Sequence, residues 1–268
     1  MKVLISQMKP YLGDVEKNLK KMLEITKRAI DEKCSIVVFP ELALNGTLLE
    51  DIVFDVGISE VPEKLLEFSH EITIIFGAVE TEKGKFYNSG YCVEDGEIVG
   101  KHRKIFLSNS FGGSESRYFT RGKEIKTFES KYGTFAITLG EEGMNPMVNG
   151  ILGADGAEVV FNLVNEGAVV KSENLSCETL AVSSSLYNKN FNVVVNRCGV
   201  EDGVIFVGGS FVVSPYGKVI DRMDRFEEGF CIADLDMGDL RKAFYNSCLD
   251  KESNLEIIKK ELERVINK

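Results

Sequence analysis

Short apolar runs alternating with amphipathic stretches along most of the chain predict an α/β fold, with residues 1–268 forming one domain of two sheets covered by helices. Two local features support this reading. Ser35-Ile36-Val37-Val38-Phe39 is an uninterrupted, largely β-branched run of the kind found in strands buried on both faces. Asp95-Gly96 separates two strand-like segments and is a two-residue hairpin signal, so antiparallel neighbours accompany the parallel strands.

Taken in order, Val3 to Gln7 reads as the first strand. Gly13-Asp14 opens a helix with Val15, Leu19, Met22, Leu23 and Ile30 on one face, and Asp14 is placed to cap its first turn. The Ser35 to Phe39 strand follows, then strands at Ile72 to Val79, Tyr87 to Glu94 and Glu97 to Lys101. Further strands are expected at Thr134 to Leu139, Glu158 to Asn162, Asn192 to Asn196, Ser210 to Ser214, Lys218 to Arg222 and Phe230 to Asp234. Helices are expected near 144–154, 173–190 and 251–267. The last carries Leu255, Ile258, Leu262 and Val265 on one stripe amid charges of both signs, the pattern of a docking or dimer-contact helix rather than a membrane-surface one.

Composition narrows the chemistry. With 44% hydrophobic residues and only 5 prolines, the chain can bury a substantial core, which excludes disordered and collagen-like classes. A net charge of −10 without any basic run argues against nucleic acid as a partner. The apolar stretch at the amino terminus is too short for a signal peptide and no apolar run reaches membrane-span length, so a cytoplasmic protein without a membrane partner is expected. The six cysteines, Cys34, Cys92, Cys177, Cys198, Cys231 and Cys248, include no Cys-x-x-Cys pair, and His70 and His102 are the only histidines. Imidazole-cluster and zinc-knuckle sites are thereby removed, leaving carboxylates, lysines and thiols.

Three segments place such groups at strand ends. Phe39-Pro40-Glu41-Leu42 puts a carboxylate just past a buried strand, where α/β folds expose functional groups, although a surface Glu before a loop reads the same way. Arg103-Lys104-Ile105-Phe106-Leu107 ends the hairpin and leads into a loop holding Phe111-Gly112-Gly113-Ser114-Glu115-Ser116-Arg117-Tyr118-Phe119. Taken alone, Lys104 is a solvated strand-end charge. Gly133 to Leu139, then Gly140-Glu141-Glu142-Gly143-Met144-Asn145-Pro146, describes a buried strand, a sharp turn and a helix start. Nucleophile elbows occupy such turns, and so do glycines needed only to make the bend.

The joint order of these segments resembles the nitrilase superfamily of carbon–nitrogen hydrolases, and within it the glutaminase domain of glutamine-dependent NAD synthetases. The resemblance covers essentially the whole chain. It rests on Gln7 to Asp14 with Asn18, Phe39 to Gly46, Arg103-Lys104, Arg117-Tyr118-Phe119 with Gly122, and Gly208-Gly209-Ser210-Phe211. It implies a four-layer αββα sandwich that dimerises through helical layers, no cofactor or metal, and a small-molecule carboxamide ligand. It also implies a Glu–Lys–Cys chemistry: a thiolate attacks an amide carbonyl, a Glu takes the thiol proton and passes it to departing ammonia, and a Lys with a backbone N–H holds the oxyanion.

Carried over by position, Glu41 is the general base, Lys104 the oxyanion cation, Glu115 the supporting carboxylate and the Glu141 backbone N–H the oxyanion donor. The nucleophile position falls on Gly140, where family members read Cys-Glu-Asp or similar and this chain reads Gly140-Glu141-Glu142. Neither Cys198, in Asn196-Arg197-Cys198-Gly199, nor Cys34 stands in an equivalent motif. After the Glu158 to Asn162 strand the chain reads Leu163-Val164-Asn165-Glu166-Gly167, where the glutaminases tend to carry small hydroxyl residues. The phosphate-binding Ser-Gly-Gly-x-Asp-Ser motif of the synthetase half is absent.

The resemblance therefore implies an amide-hydrolase ancestry with covalent catalysis lost or severely impaired and a role as a small-amide-binding or regulatory subunit, in a homodimer or higher homo-oligomer. Two alternatives differ in class. One is a working hydrolase in which Glu41 activates water directly. The other is a purely structural partner with a vestigial pocket.

Overall fold

The structure, a computed structural model, describes residues 1–108, 115–168, 177–246 and 255–268. In the first half of the chain β1 (Lys2–Gln7), α1 (Val15–Asp31) and β2 (Ile36–Val38) are followed by the short helices α2 (Val53–Val56) and α3 (Glu63–Phe68). Strands β3 (Thr73–Glu82), β4 (Lys85–Glu94) and β5 (Glu97–Arg103) then form a meander that leads to α4 (Glu115–Tyr118). The second half runs β6 (Phe128–Ser130), β7 (Gly133–Leu139), α5 (Pro146–Ala154), β8 (Val159–Val164), α6 (Cys177–Asn188) and β9 (Phe191–Asn196). After it come β10 (Cys198–Glu201), β11 (Val204–Val207), β12 (Phe211–Val213), β13 (Val219–Arg222), β14 (Gly229–Asp234), α7 (Gly238–Tyr245) and α8 (Leu255–Ile266).

Two six-stranded sheets, in the orders β14-β1-β2-β3-β4-β5 and β13-β12-β9-β8-β7-β6, carry the molecule, with β10 and β11 as a separate ribbon. Each sheet has a parallel centre, β1-β2-β3 in one and β7-β8-β9 in the other, and antiparallel edges. The continuous apolar runs follow from burial on both faces. In β1, Val3 and Ile5 enter the core between the sheets, while Leu4 faces outward beneath α1 with Met22 and Ala29. In β7, Phe135, Ile137 and Leu139 face the other sheet, while Ala136 packs on Val148 and Leu152 of α5. The result is four layers, helices outside and sheets inside. Gly90 in β4 lets the sheets approach, because a Cβ there would lie 2.5 Å from Ile137 Cγ2.

The sequence expectations hold for the class and for every long element, with shifts of boundary. Asp14 does cap α1, its carboxylate accepting from Lys17 N at 3.1 Å. β3 continues three residues beyond the expected Val79, to Glu82, because Lys83 and Gly84 turn the chain with φ of 50° and 73°. The helix expected near 144–154 starts at Pro146 with Asn145 as its cap; a 3₁₀ turn occupies Gly140–Met144 before it. For the two helices expected at 173–190 and 251–267, the first residues, 173–176 and 251–254, lie outside the described residues, and the rest form α6 and α8. No residue of α8 is buried. Among the described residues no helix is long and apolar enough to cross a membrane.

Candidate active site

Glu41, Lys104 and Gly140 each stand just past the carboxyl end of a strand, and Glu115 opens the short helix reached by the chain after β5. Strand pairing brings them together. Ser89 pairs with Arg103 across β4 and β5, and Lys104 N donates to Asn88 O at 2.8 Å, so Asn88 and Lys104 enter the same pocket. Lys104 Nζ donates to Glu41 Oε1 at 2.8 Å and to Glu115 at 3.0 Å. Asn88 Nδ2 bridges the same carboxylates, at 2.7 Å from Glu41 Oε1 and 3.3 Å from Glu115 Oε1. Glu115 is fixed from behind by the Ser108 backbone N–H at 2.6 Å.

The second oxygen of Glu41, Oε2, is buried and has no hydrogen-bond partner among the described residues. It faces Gly140. A Cβ built on Gly140 would lie 3.0 Å from Lys104 Nζ and 3.1 Å from Glu41 Oε2, so a side chain there would stand between the ammonium and the free carboxylate oxygen. Gly140 also has φ of +56°, in the left-handed region that favours glycine, which the sharp turn out of β7 requires. Glu141 follows in the 3₁₀ turn with its side chain exposed.

The electrostatics are those of one cation shared by two carboxylates. Burial pushes the Glu41 carboxyl up, to about 7, with the neighbouring Glu115 charge adding to the effect and Lys104 opposing it. Burial alone would lower Lys104, but Glu41 and Glu115 outweigh it and hold the ammonium above its ordinary value. Lys104 is therefore a fixed positive charge, and Glu41 is a carboxyl group that changes protonation near neutrality.

Sequence reasoning missed two residues of this arrangement. Asn88, inside a strand, carries no local signal; only the β4–β5 register places it beside Lys104. Glu142 is fully buried and ties the turn after Gly140 to the end of β5. Its Oε1 accepts from the Ile105 backbone N–H and from Phe106 N at 3.1 Å, and its Oε2 meets His102 Nε2 at 2.7 Å and Leu139 N at 3.2 Å. Burial raises its carboxyl, but His102 and these donors outweigh burial and hold it below the usual range.

Of the other reactive groups, Arg103 turns away from the pocket to Glu80 and lies over the Tyr87 ring, 3.9 Å from its centroid. Cys34, Cys92, Cys177 and Cys198 are buried thiols whose pKa burial pushes up, which makes them poor nucleophiles. Cys248 and the loop residues 111–114 lie outside the described residues.

The αββα sandwich thus holds Glu41, Lys104 and Glu115 in one hydrogen-bonded cluster beside Gly140. Residues 2–245 match the carbon–nitrogen hydrolase family, and the chain belongs to it. The glutamine-dependent NAD(+) synthetase of Thermotoga maritima is 32% identical over 246 residues, covering 88% of this chain and 42% of that protein. The chain thus spans less than half the length of the synthetases it matches. A nitrilase of Pyrococcus abyssi is 25% identical over 260 residues, covering 93% of this chain and 95% of that one. A carbon–nitrogen hydrolase from Helicobacter pylori G27 shares the fold, with a TM-score of 0.83 at 22% identity over 95% of this chain and 98% of that chain.

Proposed function

We propose that this chain binds a small carboxamide in the Glu41–Lys104–Glu115 pocket without forming a covalent intermediate, and that it serves as a binding or regulatory subunit. One observation carries the proposal: the point where a nucleophilic side chain would begin lies 3.0 Å from Lys104 Nζ and 3.1 Å from Glu41 Oε2, and the residue there is Gly140. Lys104 supplies a donor for the amide oxygen and Glu41 Oε2 an acceptor for the amide N–H. The Glu141 backbone N–H is the second oxyanion donor. Without a thiol no thioester forms, and loss of a nucleophile from a cooperating unit commonly costs on the order of 10⁶ in turnover.

The partnerless Glu41 Oε2 supports a second reading, in which Glu41 takes a proton from water and that water attacks the amide directly. Ammonia release from a panel of carboxamides, glutamine included, separates the readings. The unmodified protein is expected to be silent and Gly140→Cys active. Activity of the unmodified protein that vanishes in Glu41→Gln would establish the water route. A purely structural role predicts no ligand-dependent stabilisation, whereas an amide at ~100 times its dissociation constant adds about 2.7 kcal/mol.

The assembly proposed with this function is a homodimer or higher homo-oligomer through the outer helices. Its basis is that Met147 and Ile151 of α5, Phe244 of α7, and Ile258 and Leu262 of α8 are exposed and line one groove of about 1170 Å³. Sedimentation at about twice the 29.8 kDa chain mass is expected for the dimer.

A further inference from the structure

Asn88 is fully buried in β4 and is hydrogen-bonded to all three charged residues of the candidate site. Successive side chains of a strand point to opposite faces, so Asn88 shares a face with Gly90, whose Cβ would meet Ile137 and Leu139 of the second sheet. That face looks toward the turn after β7. Ser89, between them, points the other way and donates to Glu80 Oε2 at 2.7 Å.

The Asn88 side chain uses one half of its amide. Nδ2 carries two N–H groups, which reach Glu41 Oε1 at 2.7 Å and Glu115 Oε1 at 3.3 Å, the same two carboxylates that Lys104 Nζ holds at 2.8 Å and 3.0 Å. One ammonium cannot neutralise two carboxylates, so the amide supplies a second bridge without adding charge. Its Oδ1 is buried and has no hydrogen-bond partner among the described residues. An unpaired buried acceptor is destabilising and needs a reason. The reason is orientation: turning the amide over would set Oδ1 against two carboxylate oxygens and take both N–H groups away from them.

The backbone of the same residue acts on the cation, since Asn88 O accepts from Lys104 N at 2.8 Å. One residue therefore fixes the root of the Lys104 side chain and the head of Glu41. With Oε1 held by Asn88 and Lys104, Oε2 is the oxygen left facing Gly140. The charged groups that face Glu41 are Lys104, past the end of β5, and Glu115, in α4; Asn88 is the neutral one. Burial pushes the Glu41 carboxyl up, and the bond from Asn88 works against that rise together with Lys104.

We infer that Asn88 is a positioning residue of this site: by bridging Glu41 and Glu115 through its amide, it holds Glu41 in the ionised form beside a second carboxylate. This role belongs to the charges of the site itself and stands apart from which ligand the pocket takes.

The test is NMR of the full chain, isotopically labelled at the glutamate side-chain carboxyls, with the Glu41 signal identified by its absence from Glu41→Gln. In Asn88→Leu the Glu41 ionisation constant is expected to fall about tenfold, which raises its midpoint by about one pH unit, because a hydrogen bond to a charged group is lost. Asn88→Asp keeps the shape, loses the donors and adds a third carboxylate, so its midpoint is expected to rise at least as far. Ser89→Ala, on the opposite face of β4, is expected to leave the constant within about twofold of the unmodified protein. A change within about twofold in Asn88→Leu, or an equal change in Ser89→Ala, overturns the role of the amide. If neither Asn88 variant folds, the unmodified protein decides. With isotope-labelled asparagine, one pair of side-chain N–H signals is expected to titrate with the Glu41 midpoint and to lose that response in Glu41→Gln. Asparagine side-chain signals that all stay flat through that interval overturn the proposal. None of these readings depends on carboxamide binding, which ammonia release and ligand-dependent stabilisation test separately.

Discussion

Glu41 holds Lys104 and Asn88 through Oε1 and presents Oε2 to the space over Gly140, so the two oxygens of one carboxyl do different work. Its protonation has a consequence for stability. The folded-state pKa is raised from 4.5 to about 7 by burial, so ionisation is disfavoured in the folded protein relative to the unfolded chain. The contribution is fully present below pH 4.5 and is lost as pH rises through about 7. Glu41→Gln removes this loss, so its melting temperature is expected to gain on the unmodified protein between pH 5 and pH 8. The gain is roughly 5–10 °C, since each pKa unit is worth about 1.4 kcal/mol, roughly two units of the rise fall between these pH values, and about 1 kcal/mol moves a chain of this size by roughly 2–4 °C. Melting curves at both pH values check it, and a constant difference would contradict the raised pKa. If water attack is the active route, ammonia release should climb through the same interval, because only ionised Glu41 accepts the proton. Glu41, Lys104 and Gly140 were legible in the sequence because each lies just past a strand end within a recognisable segment, and Glu115 because it stands in the segment that follows Lys104. Asn88 was not assigned to a site, because strand register, not local pattern, decides what it faces.

At the scale of elements, the long strands and α1 were legible because period and capping agree, while α2, α3 and α4 are too short for a helical period to declare itself. The ribbons were read unevenly. Asp95-Gly96 announced one hairpin, yet Lys83-Gly84 and Asp202-Gly203 turn the chain with the same pair of positive φ angles. The first two turns offer a controlled comparison. Gly84 has φ of +73° and open space where a methyl group would stand, with nothing within 4 Å, whereas a Cβ on Gly96 would lie 2.7 Å from the His70 ring. Gly84→Ala is expected to cost about 1–2 kcal/mol from backbone strain alone, and Gly96→Ala distinctly more, as read from urea unfolding. Equal losses would show that His70 moves aside freely. The link between β5 and the 3₁₀ turn has a sharper dependence. Glu142→Ala strips the acceptor from three backbone N–H groups and His102 at once, and should cost about 3 kcal/mol or more. Glu142→Gln keeps an acceptor oxygen and should cost less. A loss below about 1 kcal/mol for Glu142→Ala would mean that water replaces the carboxylate at this joint.

For the whole molecule, two helix-covered sheets were legible in the alternation of runs, but which of their faces meet was not. That depends on a two-residue period read from both ends of the chain. Val3, Ile5, Val38 and Ile75 from one sheet interlock with Phe135, Ile137, Phe161 and Val193 from the other, with Phe135 and Phe161 in an edge-to-face pair at 5.2 Å. β14 reinforces the closure, since it returns to pair with β1 and brings the Met1 amino group to Leu235 O at 2.8 Å. A candidate site whose Glu41 and Lys104 follow strands of one sheet, and whose glycine turn follows a strand of the other, requires the sheets to hold one spacing. The shared core makes that spacing and the folding transition a single property. Phe161→Ala, in the second sheet, should cost about 3–5 kcal/mol. Ile75→Ala, in the first, should cost about 2–5 kcal/mol. Both should lower one calorimetric transition whose van't Hoff and calorimetric enthalpies agree. If instead each substitution lowered a separate peak, the sheets would be independent folding units, and the alignment of Glu41 and Lys104 with Gly140 would need some support other than the core between them.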